Sequence, residues 1–437
     1  MGRRAKAKHN PKGRSSSRAQ NLPDGEPIQL AEGWTYVECH DRPAQIFGHC
    51  MVAAGHRVWC LGGWHATALH EKITVLELDL HEKIWRDVTP ASAPAGRWGH
   101  ANCLVPNRAS QDRYLWLSGG FNSRCNFNDV WRFCPSNGKF SSVTDAAQRL
   151  PYSASYHSLV YDDFSQQLLS FGGQRCVGGP YMFYDSVLTL RMQQQMRGWQ
   201  AVVTHGLRPP ARAQHAAALT GEGLMVLHGG GNATRAFHDV WVLHLRSPVP
   251  HWSEVKVTGS VRPWAAHRLQ HRDFHVVSSR PFMAAYQNTI MVLGRDKQAG
   301  AENVAGRLAI WTLNLDAPCW RPVKAAGAPD WAGNFAATVA GADFHSVQGR
   351  GKTLLVLGGE DGGEARSAAL GQPLADGGLW RLELLGRPSK MLLWTLRKAL
   401  RTVSGSALPD ETFEVIISFT SGQLLDIAAS DMRLSAG

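Results

Sequence analysis

The chain carries nineteen histidines, eight cysteines and thirty-five acidic residues, the types from which metal sites and acid–base devices are built. Their spacing argues against those uses. Six of the histidines, His49, His100, His157, His215, His275 and His345, each open a similar stretch of sequence. A histidine that returns at one place in successive units reads as a structural group held in a buried hydrogen bond, because ligands to a single metal would not be dealt out one per unit. The cysteines form no CxxC pair and no metal-ligand spacing with histidine. No cofactor and no metal are therefore expected. Nothing matches a nucleophile elbow, a phosphate loop or a paired-carboxylate device, so an enzyme is not expected either. What remains is the chemistry of recognition. Arginines and aromatic residues recur beside these histidines; arginine grips a carboxylate or phosphate at two points, and aromatic faces pack the rest of a ligand.

The elements that must position these groups follow a repeated order. An apolar run after each histidine ends in a diglycine at Gly62-Gly63, Gly119-Gly120, Gly172-Gly173, Gly229-Gly230 and Gly358-Gly359, with Gly294-Arg295 in the fifth place. A short strand follows, reading VLEL, VWRF, VLTL, VWVL, IWTL and LWRL, and then an aromatic at Trp85, Phe140, Trp199, Trp252 and Trp320. Diglycines recur every 53 to 65 residues, and the intervening apolar positions alternate at the period of strands. The diglycine is expected where backbone packs on backbone near a crowded axis that leaves no room for a Cβ. Trp34-Val37 is an isolated aromatic strand before the first unit. Its expected place is the edge of the last sheet, because a ring of sheets must tie its first and last members together or leave both edges open. Units five and six carry insertions, VRPWAAHRLQHRDFHVVSSRPF and the stretch around PDWAGNF, and long loops on a scaffold are where function tends to sit.

The formal net charge is +11, and the first eighteen residues supply seven lysines and arginines without one acid. Residues 1–28 are too polar to offset the entropy of ordering and are expected to be a disordered basic tail. It reads as a nuclear-import signal or a nucleic-acid-contacting arm, or else as a solubilising tail. Its MG start lacks the Ser/Thr of a myristoylation site. No apolar run approaches the roughly 20 residues that span a bilayer, so no membrane contact is expected. Dispersed thiols without a signal peptide favour a reducing compartment, cytoplasmic and/or nuclear.

Residues 29–387 hold the repeats, and the pattern stops after Arg387-Pro388. Residues 388–437 read as a helical tail. Ser389 can cap a helix that puts Leu392, Leu396, Ala399 and Leu400 on one face. A second start follows at Pro409-Asp410-Glu411, with Phe413, Ile416, Ile417 and Thr420 at helical spacing. The competing reading makes FEVIISF a strand of a degenerate seventh sheet.

The six units resemble kelch repeats, whose period near 50 and order of parts they share. That resemblance implies an all-β fold: a six-bladed kelch-type β-propeller of four-stranded blades, closed by the N-terminal strand and used as a protein-binding platform. The tail resembles an F-box in its LPDE start and in the spacing of Leu408, Pro409, Asp410, Glu411, Ile416, Phe419, Leu424, Leu425 and Ala428. It departs from that motif in lying C-terminal and in stopping short of the full length. PSKMLLWTL followed by LP is also similar to the elongin/cullin-binding box that follows the propeller in kelch receptors. Leu408, Pro409, Ile416, Phe419, Leu424 and Leu425 would then be the partner-binding residues, toward a Skp-type or elongin-type linker of a cullin–RING ubiquitin ligase.

In a propeller, the loops after each diglycine and the residues before each histidine converge at one mouth of the channel. The candidate ligand-binding residues are accordingly Trp64, Arg97, Trp98, Asn122, Arg124, Arg175, Asn232, Arg235 and Arg295, with Tyr156 and Gln214 among their neighbours. Their chemistry suits an acidic or C-terminal peptide. Two readings of function follow: a substrate-recognition adaptor whose propeller binds and whose tail recruits a ligase core, or a structural scaffold docked in a larger complex. Nucleic acid would be met only through the basic tail, since no basic stripe interleaved with aromatics marks the blades.

Overall fold

In a computed structural model, the described residues lie between Ile28 and Glu383. Within that span, segments 30–32, 42–45, 66–70, 108–112, 144–148, 178–180, 193–197, 259–280, 296–307, 329–335, 341–352 and 358–378, with residues 176 and 287, fall outside the description. The strands make six four-stranded antiparallel meanders. Blade one is Cys50–Ala54, Arg57–Leu61, Val75–Asp79 and Ile84–Asp87. Blade two is Ala101–Pro106, Arg113–Ser118, Val130–Cys134 and Lys139–Ser142. Blade three is Ser158–Asp162, Gln167–Phe171, Val187–Arg191 and Gln200–Ala201. Blade four is Ala216–Leu219, Leu224–His228, Val240–His244 and His251–Glu254. Blade five is Phe282–Tyr286, Thr289–Arg295, Leu308–Asn314 and Trp320–Lys324. Blade six joins Ala336–Ala340, Thr353–Leu357 and Leu379–Glu383 to Thr35–Val37 from the far end of the chain.

That last pairing closes the wheel as the sequence predicts. Thr35, Tyr36 and Val37 stand opposite Arg381, Trp380 and Leu379, and the Tyr36 and Trp380 rings meet edge-on at 5.5 Å. The innermost strands of successive blades contact one another around the full circle, blade six against blade one included. The core is divided accordingly. Six apolar clusters fill the six spaces between neighbouring blades, and each takes in the aromatic residue of one outer strand: Phe140, Trp199, Trp252, Trp320, Trp34 and Trp85 in turn. An alternating strand has two faces to bury, and a blade between two neighbours buries both.

Several outer edges are covered by the chain's own connections. His40 bridges in parallel to Ile84 of blade one, His205 to His251 of blade four and Thr258 to Cys319 of blade five. Ile28–Gln29 adds a fifth, parallel strand against Val323 and Lys324 of blade five. Ile28, placed in the basic tail by the sequence reading, therefore belongs to the propeller. Covering edges in this way removes templates for unwanted strand pairing.

Blade five also shows what the missing glycine does. Its second strand runs on through Gly294 and Arg295, paired with Ala309 and Leu308, where blades one to four turn away at a left-handed diglycine. Arginine at the second position disfavours that turn, so the strand is longer. Both expected insertions, the tail after Pro388 with its helices, and residues 1–27 lie outside the described residues.

Candidate mouth of the channel

The histidines and diglycines form one device. The ring of His100 in blade two lies against Gly62 of blade one, and its Cβ lies against Gly120 of its own blade. His157 stands in the same way between Gly119 and Gly173, and His215 between Gly172 and Gly230. In each case the second glycine of one blade donates its N–H to the carbonyl three residues before the next blade's histidine: Gly63 to Arg97 at 3.0 Å, Gly120 to Ala154 at 2.8 Å and Gly173 to Arg212 at 2.9 Å. The diglycine thus admits the neighbouring blade. The expected buried hydrogen bond is present at His157, whose Nε2 lies 2.8 Å from Ser118 Oγ. His215 packs across the edge of Phe171, with ring centroids 5.3 Å apart.

In blades one to four, the residue before the histidine lines the axis. Gly48, Gly99, Tyr156 and Gln214 all have left-handed backbones, with φ of 64°, 64°, 55° and 59°. They are linked in series: Gly99 N–H donates to Gly48 O at 3.2 Å, Tyr156 to Gly99 at 2.6 Å and Gln214 to Tyr156 at 3.0 Å. One residue earlier, a backbone bridge ties each of blades one to four to the residue after its diglycine. Phe47 pairs with Trp64, Trp98 with Phe121, Ser155 with Gln174 and Ala213 with Gly231. These bridges carry the aromatic side chains of the mouth. Trp98 lies 4.8 Å from Phe121, and Phe121 lies 5.7 Å from Tyr156, so three rings descend as a step across blades two and three.

The structure separates the predicted mouth residues by role. Trp98, Arg124, Arg175 and Arg235 have solvent-accessible side chains around blades two to four. Arg124 is exposed, Arg235 reaches over the Phe237 ring at 4.9 Å, and half-buried Arg175 has its Nε without a hydrogen-bond partner. Tyr184 beside Arg175 is pushed upward in pKa by burial, against the pull of that arginine's charge. Asn122 and Asn232 shape the loops from within. Asn122 Oδ1 accepts from the N–H groups of Arg124 and Cys125, and its Nδ2 donates to Gly96 O at 3.2 Å. Asn232 repeats this with Thr234, Arg235 and Ala211. For Trp64 and Arg295 the backbone alone is described, in a short bridge and at a strand end.

Arg97 has a different place from the one expected. Its side chain is fully buried within blade two, forked onto both carboxylate oxygens of Asp129, and its Nη1 also donates to Gly119 O at 3.1 Å. The guanidinium rests 3.8 Å above the Phe127 ring. Its side chain has no exposed surface to offer a ligand. Arg212, not singled out from sequence, is its twin in blade four: forked on Asp239 at 2.6 and 2.8 Å, bonded to Gly229 O at 3.1 Å and 3.9 Å over Phe237. Trp131 and Trp241 each donate their indole N–H to the same aspartate at 2.8 Å. Burial raises the Asp239 pKa, but the hydrogen bonds and charge of Arg212 outweigh it and leave the carboxyl below its ordinary range. A signal was present in the sequence. Arginine three residues before the histidine occurs together with Asp-Val-Trp later in the unit, in RWGH with NDVW and in RAQH with HDVW. Blade three has Ala154 and Ser186 in those places, and stacked Tyr152 and Tyr184 rings, 3.9 Å apart, stand nearby. Among the described residues no group of three or more His, Cys, Asp or Glu could hold a metal ion.

Comparison with known proteins agrees with this architecture. The family model described as "KLHDC2/KLHL20/DRC7 Kelch-repeats domain" matches residues 164–370. The chain is 25% identical over 324 residues to Adagio-like protein 3 of Oryza sativa subsp. japonica, covering 73% of this chain and 46% of that protein. It is 26% identical over 329 residues to Adagio protein 3 of Arabidopsis thaliana, covering 73% and 47%. Over 262 residues it is 22% identical to the flagellar outer-arm dynein alpha chain of Chlamydomonas reinhardtii, or 59% of this chain and 4% of that one. The chain thus spans less than half the length of the curated relatives it matches. The repeat and the six blades agree with that match: the chain folds as a six-bladed β-propeller whose residues 164–370 are similar to the kelch-repeats domain.

Proposed function

We propose that the chain is a protein-interaction module that binds an acidic or C-terminal peptide segment at the channel mouth. The observation that carries this reading is the aromatic step of Trp98, Phe121 and Tyr156 beside the accessible Arg124, Arg175 and Arg235. A carboxylate can be held by an arginine fork while a neighbouring side chain is packed on rings, and such anchors dominate small interfaces. In this proposal residues 388–437 recruit a ubiquitin-ligase core through a Skp-type or elongin-type linker, with Leu408, Pro409, Ile416, Phe419, Leu424 and Leu425 as contacts. The chain therefore acts as an adaptor without chemistry of its own, in the cytoplasm and/or nucleus. The scaffold reading is the second one because this chain is also similar to a flagellar outer-arm dynein alpha chain.

Two measurements test the proposal. Charge reversal at Arg124 and Arg175 (R124E/R175E) is expected to abolish binding of acidic peptides in a fluorescence titration, and unchanged affinity would rule out the mouth as the site. Affinity purification of the full chain is expected to bring down a Skp-type or elongin-type linker, which is lost on deleting residues 406–437. Retention after the deletion, or no such linker at all, would favour the scaffold.

A further inference from the structure

Among the described residues, five that are not glycine have left-handed backbones: Asp41, Lys83, Tyr156, Gln166 and Gln214. Three of them are local matters. Lys83 closes the outer hairpin of blade one, the place Gly138 takes in blade two, Gln166 closes the first hairpin of blade three, and Asp41 lies in a connection between blades. Tyr156 and Gln214 are in no hairpin. They occupy the axial position that Gly48 and Gly99 fill in blades one and two, and the series of axial hydrogen bonds holds all four in the same conformation. An L-residue there is strained, and such strain persists where the side chain has a use.

For Tyr156 part of that use is internal: its ring lies over Gly99, where a Cβ would come within 3.0 Å of it, and against Phe121. Gln214 has no such account. Its side chain is half-exposed at the axis and makes no hydrogen bond among the described residues. Yet its backbone is bonded to Tyr156, and Tyr156 follows directly on Ser155, which is bridged to Gln174, the neighbour of Arg175. A carboxamide is both donor and acceptor, so it matches the N–H and C=O of a peptide bond better than it matches any charged group.

We infer that Gln214 is a ligand-reading residue of the mouth. Its carboxamide engages the main chain of an extended peptide laid across blades two to four, while an apolar side chain of that peptide rests on the step of Trp98, Phe121 and Tyr156. This deepens the peptide-binding proposal and rests on it. It places the specificity of the mouth in the sector between blades three and four, with Arg175 beside Gln214 for an acidic group.

The distinguishing experiment uses glycine, which the left-handed backbone favours. The full chain is used to select binders from a random peptide library with free carboxyl termini, and a selected peptide is titrated against three variants. Q214G is expected to melt at or above the wild-type temperature and to bind at least about tenfold more weakly, a loss of about 1.4 kcal/mol. Q166G, which relieves the same backbone conformation in a hairpin, is expected to gain stability without change in affinity. Wild-type affinity in Q214G, or a lower melting temperature, overturns the inference. A peptide that is lost with R175E but kept by Q214G overturns the role of Gln214 alone and leaves peptide binding standing. A library that yields no peptide for the wild-type chain overturns both.

Discussion

The most searching test of the blade-to-blade account is a pair of glycine-to-alanine substitutions. Gly172 and Gly138 have φ of +66° and +64°, so alanine meets the same backbone penalty at both, about 1–2 kcal/mol. Their surroundings differ. A Cβ at Gly138 would have nothing within 4 Å. At Gly172 it would lie 2.7 Å from the Arg212 carbonyl oxygen and 3.0 Å from the His215 ring, both in the next blade. The oxygen is backbone and already accepts the N–H of Gly173, so it cannot retreat without stretching the hydrogen bond between blades three and four. Overpacking of this kind costs roughly 1–3 kcal/mol in addition. G172A should therefore lose about 2–5 kcal/mol against about 1–2 for G138A, read from urea unfolding midpoints at unchanged slope. Equal losses would mean that the diglycine serves its own turn only, and that the histidine–glycine stitch is incidental.

Three further outcomes follow from the buried polar groups and the closure. D129N should destabilise more than R97M, because it strands the fully buried Arg97 cation, whereas the aspartate left by R97M is about a quarter exposed and can rehydrate; breaking such a pair costs about 3–5 kcal/mol, and the reverse order in an unfolding series would refute the assignment. Burial pushes the His228 imidazole down to about 4 from 6.5. The unfolded chain then binds the extra proton first, so its contribution is complete above 6.5 and is lost as pH falls through about 4, amounting to roughly 2 kcal/mol between pH 7 and pH 5. H228Q should flatten that part of the stability–pH profile measured by urea unfolding, and an unchanged slope would exclude His228 as its source. Deleting residues 1–37 should expose the edge of Leu379–Glu383 and lower the melting temperature sharply, while a chain that still melts as the wild type would show the closing strand to be dispensable.

The fold was legible from the sequence because a propeller repeats its local instructions. Strand period and outer aromatic recur in every unit and the diglycine in five of the six, and even the closing strand at Trp34 could be placed from the need to finish a sheet. The site was legible in part. Of the candidate residues, Trp98, Arg124, Arg175 and Arg235 have solvent-accessible side chains. Arg97 shares the same place in its unit as Arg212, and both are buried, since each has an aspartate two residues before a strand tryptophan of its own blade.

What the chain's own order of residues determined, then, is the number of blades and the closure of the ring, both consequences of local periodicity and of edges that need partners. What only the tertiary structure decided is which of several similar side chains face the channel. An arginine takes its role from the carboxylate it meets across 32 or 27 residues of chain. A tyrosine or glutamine at the axis has its backbone conformation fixed by hydrogen bonds to the neighbouring blade. Those contacts exist only once the blades are packed in a circle, so no pattern within a single unit can display them.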